Sequence, residues 1–198
     1  MSKRTVALLA AALVLTPLGI AAVGDLDRTF GGDGKVVTDF GADDYPFDVA
    51  VQRDGKIVVV GVSYLDVGSA FWIARYTGAG ALDASFGSGG IIRPDFGAAG
   101  SGNAVIIQAD GKIVVAGWAY ENGTSGNFAL VRYDGQGHLD PSFGGSGTVL
   151  TPVAAPTKPD QATAVVLQSD PRIPAVRVLV AGYASGSNSD FAVTRFWR

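Results

Sequence analysis

QADGKIVVAG at 108–117 decides the fold, because the chain writes it three times. QRDGKIVVVG stands at 52–61 and a looser QSDPRIPAVRVLVAG at 168–182. Each reads as a β-hairpin with its turn inside the motif. Asp54-Gly55 and Asp110-Gly111 sit between apolar runs, and a tight reversing turn needs the positive φ that glycine adopts without strain. FDVAVQ (47–52) and NAVIIQ (103–108) supply the strand before the turn. KIVVVG and KIVVAG supply the strand after it, and their nearly continuous β-branched character suits a strand covered on both faces. In the third copy Asp170-Pro171 replaces Asp-Gly and the loop is longer. That loop is expected to be irregular, since its prolines cannot serve a ladder.

Around the hairpins the composition supports one all-β domain. The 198 residues are 47% hydrophobic and 17% charged, enough for one sizeable core. The 28 glycines are spread between apolar runs, which implies many turns between short strands. Net charge is −3, with lysines and arginines scattered singly, so no surface suits a phosphate backbone and no nucleic-acid partner is expected. The absence of cysteine removes disulfides, thiolate metal sites and thiol nucleophiles.

The first 24 residues read as a cleavable signal peptide. Lys3 and Arg4 form a positive start, VALLAAALVL (6–15) an apolar core, and Pro17 precedes small residues up to Gly24. Cleavage after Ala22 and after Gly24 both fit. A retained anchor is the alternative, because Thr5 to Val23 is just long enough to span a bilayer. Pro17 and the lack of a flanking stop signal argue against it. The expected destination is secreted, periplasmic or cell surface, with no membrane association once the leader is removed.

From Asp25 onward the hairpins belong to a longer period. L-D-x-x-F-G occurs at 26–31, 82–87 and 139–144. In the first period GKVVTDFG (34–41), FDVAVQ, KIVVVGVSY (56–64) and FWIARYT (71–77) follow as four short strands. Four strands per period match a propeller blade better than any helical repeat. The expected fold is all-β and β-propeller-like, with three four-stranded blade repeats of about 56–63 residues at approximately 25–81, 82–138 and 139–198. Such an array is a partial propeller or half of a closed ring.

The set L-D-x-x-F-G, Q-x-D-G-K-I-V-V-x-G and F-x-x-x-R-Y resembles the delta-60 repeat family, predicted β-propeller repeats of secreted and surface proteins. The resemblance covers essentially the whole chain after the leader. It implies the fold and an extracellular setting, and it brings no activity and no catalytic residues.

Alternation places Phe71, Ile73 and Arg75 on one face of a strand, as it does Phe128, Leu130, Arg132 and Phe191, Val193, Arg195. An arginine on a bulky apolar face must be paired. Asp83 and Asp140 follow Arg75 and Arg132 at a fixed offset and are the expected partners. Asp27 has no arginine before it, and Arg195 has no aspartate after it. Two arrangements remain open. A second copy could pair Asp27 with Arg195 and close a six-bladed ring as a homodimer, or the chain is an open arc with both charges solvated.

Residues that recur in every repeat are best explained by packing, so function belongs to what differs. The variable loops follow the third strand of each period: SYLDVGSA (63–70), AYENGTSGN (119–127) and ASGSNSD (184–190). Trp118, Tyr120 and Glu121, with Tyr64 and Asp66 in the first loop, are the candidate ligand-binding residues, because aromatic faces beside a carboxylate suit a sugar ring or a peptide. The plainer reading is that Trp118 and Tyr120 fill space between blades.

Asp39, Asp43 and Asp44, and Asp25, Asp27 and Asp33, form loose carboxylate groups without the spacing of a calcium loop, so no metal or cofactor is expected. His138 is the single histidine and sits in a turn, and no motif assigns a catalytic residue. Asn122-Gly123-Thr124 fits an N-glycosylation sequon. The function expected is an exported, non-catalytic binding or structural scaffold for protein or glycan. The alternative is an extracellular polysaccharide hydrolase or lyase that uses carboxylates on the propeller face.

Overall fold

The computed structural model describes residues 23–66, 68–96, 99–120, 126–153, 159–170, 172–185 and 188–197. Residues 1–22 of the expected leader, Glu121 and the sequon lie outside the described residues. Among the described residues, the ordered elements are strands in three antiparallel sheets. Sheet 1 runs β1 (Asp43–Val51), β2 (Ile57–Tyr64), β3 (Ser69–Tyr76) and β4 (Ile91–Ile92) in that order. Sheet 2 repeats this with β5 (Gly100–Ile107), β6 (Ile113–Ala119), β7 (Asn127–Tyr133) and β8 (Thr148–Thr151). Sheet 3 contains β9 (Gln161–Asp170), β10 (Ile173–Ser185) and β11 (Ser189–Trp197).

Each sheet is out of phase with the sequence period. β4 and β8 follow the L-D-x-x-F-G motifs at 82–87 and 139–144, so a sheet takes its fourth strand from the repeat that comes next. This overturns two expectations. GKVVTDFG at 34–41 forms no strand, because its ladder partner would be the third strand of a sheet before sheet 1. The third blade has three strands among the described residues, because a fourth would come from a following repeat.

The hairpins show why their motif reads as it does. Gly55 and Gly111 adopt φ of 81° and 84°. Gly55 N donates to Gln52 O at 3.0 Å, and Gln52 N donates to Lys56 O at 2.8 Å. The reversal is therefore a three-residue loop closed by glycine. The third hairpin instead shifts register between Ile173 and Arg177, where its extra residues are absorbed.

The first strand of every sheet carries a bulge, at Phe47, Asn103 and Thr163. The bulge pushes the preceding carbonyls toward the second strand. A Cβ at Gly61 or Gly182 would stand 2.2 Å from Tyr45 O or 2.0 Å from Gln161 O. This is why the motif ends in glycine.

Two cores lie between neighbouring sheets. Val58, Phe71, Ile73 and Phe86 of sheet 1 and its link pack with Val105, Ile113 and Val115 of sheet 2. Phe128, Leu130 and Phe143 pack with Val165, Val178 and Val180 of sheet 3. Burying one such side chain contributes roughly 1.5–3 kcal/mol. Polar bridges run beside both cores. Asp48 Oδ2 accepts from Val105 N at 2.8 Å, and Asn103 Nδ2 donates to Ala162 O at 2.8 Å. The outermost faces of the stack are apolar and open: Val49 is 58% exposed on sheet 1, and Phe191 is 84% exposed on sheet 3.

Candidate functional site

Two kinds of site residue emerge, a repeated ion-pair station and a variable loop rim. Arg75 and Arg132 lie on the faces turned toward the next sheet and are almost fully buried. Arg75 Nε donates to Asp83 Oδ2 at 2.9 Å, and Arg132 Nε to Asp140 Oδ2 at 2.8 Å. The lysine after each Asp-Gly turn joins them. Lys56 Nζ is 3.3 Å from Asp83 Oδ2, and Lys112 Nζ is 2.8 Å from Asp140 Oδ2. The Ser85 and Ser142 hydroxyls donate to the other carboxylate oxygens, each at 2.7 Å. Each guanidinium lies over a phenylalanine ring, Arg75 over Phe86 at 4.3 Å and Arg132 over Phe143 at 4.7 Å. Arg75 Nη1 also donates to Gly135 O, which ties the station to the next sheet.

These contacts hold the Asp83 carboxyl down to about 2, with the Ser85 hydroxyl as the largest cause. Asp140 is held well below the ordinary carboxylate range, with Lys112 foremost. A carboxylate so thoroughly satisfied is a structural tie and a poor proton carrier at neutral pH. The residues at 52–86 and 108–143 run from the glutamine before each turn to the phenylalanine under each arginine. Both stretches match the family model described as a domain of unknown function (DUF5122) β-propeller. The sheets are propeller blades. No curated protein matches the chain.

Blade 3 carries only half of the next station. Arg195 is exposed, and Arg177 takes the register position that Lys56 and Lys112 hold in blades 1 and 2. The Arg177 guanidinium lies 4.3 Å over Trp197, and its buried Nε has no hydrogen-bond partner. Asp27 sits apart from both, accepting from Thr29 N at 2.9 Å and Thr29 Oγ1 at 2.7 Å. Alternation could not reveal Arg177, because the longer third loop hides its correspondence to the lysines.

The variable loops lie where the second and third strands of each blade join, beside the links into the first strands. Tyr64, Leu65 and Asp66 line a cleft of about 520 Å³ with Gly41, Ala42 and Asp43. The Tyr64 ring meets Tyr45 edge-on at 5.5 Å. In blade 2, Trp118 meets Tyr120 edge-on at 5.3 Å. Trp118 is half-buried beside Gly126 in the blade 2 loop. Tyr64 and Tyr120 thus occupy corresponding rim positions on different blades, while their partners come from different strands, Tyr45 from the first strand of blade 1 and Trp118 from the second strand of blade 2.

Other polar groups serve turns and one cross-strand pair. Asp44 Oδ2 accepts from Phe40 N at 2.8 Å and its Oδ1 from the Ser63 hydroxyl, while Asp39 Oδ1 accepts from Gly41 N at 2.7 Å. His138 Nδ1 lies 3.1 Å from Asp134 Oδ2 in an exposed turn. Among the described residues no helix is long and apolar enough to cross a membrane.

Proposed function

We propose that the chain is an exported propeller scaffold of the delta-60 type that binds a protein or glycan through its loop rim, without catalysis. One observation carries this reading. The recurring charges are consumed in buried stations, whereas the residues that differ between blades place Tyr64, Leu65 and Asp66 around an open, polar-lined cleft. Exposed aromatic edges beside carboxylates suit stacking against sugar rings or peptide side chains. The N-terminal Lys3-Arg4 and apolar run support export.

The test is a glycan-array and surface-extract binding screen of the chain beside a Tyr64→Ala, Asp66→Asn variant. Binding that falls at least about tenfold in the variant, equivalent to about 1.4 kcal/mol, supports the rim. Equal binding by both chains discards it. A second reading rests on Asp43 and Asp66 lining one cleft, which offers a carboxylate pair to a polysaccharide hydrolase or lyase. Release of reducing ends or unsaturated sugars, abolished in Asp66→Asn, would favour that reading over simple binding.

A further inference from the structure

We propose that a second copy of this chain completes blade 3 and covers the open face of blade 1. Two chains then close one six-bladed ring through two identical composite ion-pair stations. In each, Arg195 and Arg177 of one copy meet Asp27 of the other.

Residues 26–36 already lie against blade 1 in the place that residues 82–92 take against blade 2, although they form no strand. Gly31 N donates to Ala79 O at 2.9 Å, as Gly87 N donates to Gln136 O at 3.3 Å between blades 1 and 2. The Val36 and Phe30 side chains press on Gly80 as those of Ile92 and Phe86 press on Gly137. The acceptor half of a station is assembled there too. The hydroxyl of Thr29 donates to Asp27 at 2.7 Å, the distance from Ser85 to Asp83 and from Ser142 to Asp140.

Blade 3 presents the complementary half. Its outward face repeats the one that blade 2 turns to blade 3, with Phe191, Val193 and Arg195 where blade 2 has Phe128, Leu130 and Arg132. Those blade 2 residues are buried, whereas Phe191, Val193 and Arg195 are exposed. Arg177 supplies the second cation, and its buried Nε lacks a partner. Two cations face one carboxylate in this arrangement, as Arg75 and Lys56 face Asp83.

The remaining contacts follow by the same register. Arg195 reaches Gly78 O as Arg75 reaches Gly135 O. Phe40 stands to Phe191 as Phe96 stands to Phe71, whose rings stack at 5.9 Å. In the single chain Phe40 lies instead on Trp72 at 4.4 Å, beside an apolar hollow of about 420 Å³ that a docked blade would fill. Joining the two ends within one chain would make a three-bladed ring, tighter than the roughly four to eight blades propellers use. Two copies related by a two-fold axis satisfy both ends at once. The inference does not depend on what the loop rim binds.

The experiment is the light-scattering mass of the full chain across a dilution series, with charge-swapped and cysteine variants. The expected mass is twice that of the chain. Asp27→Arg falls to the monomer mass with its circular dichroism unchanged, and Asp27→Arg with Arg195→Asp returns to the dimer. Because the chain has no cysteine, Leu26→Cys with Phe196→Cys gives a covalent dimer on oxidation. These two positions correspond to the facing residues Leu82 and Tyr76. A monomeric wild-type chain, a dimer unaffected by Asp27→Arg, or a disulfide within one chain would each overturn the proposal.

Discussion

A Cβ built on Gly117 would lie 1.9 Å from the carbonyl oxygen of Ser101, on the strand beside it. The Asn103 bulge forces this approach, and rigid backbone on both sides gives it no relief. Gly117→Ala is therefore expected to cost about 3 kcal/mol or more, a fall of roughly 10 °C in Tm. Gly102→Ala meets the Phe71 ring instead, a side chain that can tilt, and blade 3 carries Ala162 at this position. Its loss is expected to be under half as large. Thermal melts of the two variants check the contrast, and equal losses would refute the bulge explanation.

Removing the carboxylate from a complete station strands its arginine. The Arg132 side chain is 3% exposed, and Asp140 is its counter-ion. Asp140→Ala is expected to destabilise by about 3–5 kcal/mol. Lys112→Met removes a partly exposed partner of the same carboxylate and is expected to cost about 1 kcal/mol. Urea titrations of both variants measure the ratio.

Acid should release the stations. Asp83 has its carboxyl lowered to about 2 in the folded chain, against an ordinary value of about 3.9. A depressed folded value means that the stabilisation is present above about pH 4 and lost as pH falls toward 2. Denaturation at pH 5 and pH 3 is expected to show this loss. Ser85→Ala removes the largest cause of the depression, so its acid transition should begin at higher pH than that of the wild type.

The polar bridge between blades 1 and 2 makes a separate prediction. Asp48 Oδ2 is the acceptor for Val105 N, a backbone donor at a buried residue. Asp48→Ala leaves that donor without a partner and should cost about 1–3 kcal/mol. Hydrogen exchange at Val105 should accelerate more than exchange at Val131, which lies in the same core without this bridge.

Much of the blade was legible because its signals are local. The period-two alternation of Phe71, Ile73 and Arg75, the Asp-Gly turns and the spacing of the L-D-x-x-F-G motifs need no knowledge of neighbours. The bulges were not legible, since Phe47, Asn103 and Thr163 share no residue type; a bulge is a property of two strands in register. The contribution of Lys56 was hidden for a related reason. A lysine after a turn ordinarily projects into water or pairs locally, as Lys56 does with Asp54, and only the return of the chain at Asp83 ties it to the buried station.

The sequence by itself determined that this chain builds repeated β-hairpins of one design, because turn chemistry and alternation act within a few residues. The tertiary structure alone decided where one sheet stops and the next begins. Strand order is set by hydrogen bonds between segments distant in sequence, and these placed β4 and β8 in the preceding blades. The same long-range pairing left residues 34–38 without a ladder and set Arg177 opposite Trp197, on the strand that carries Arg195.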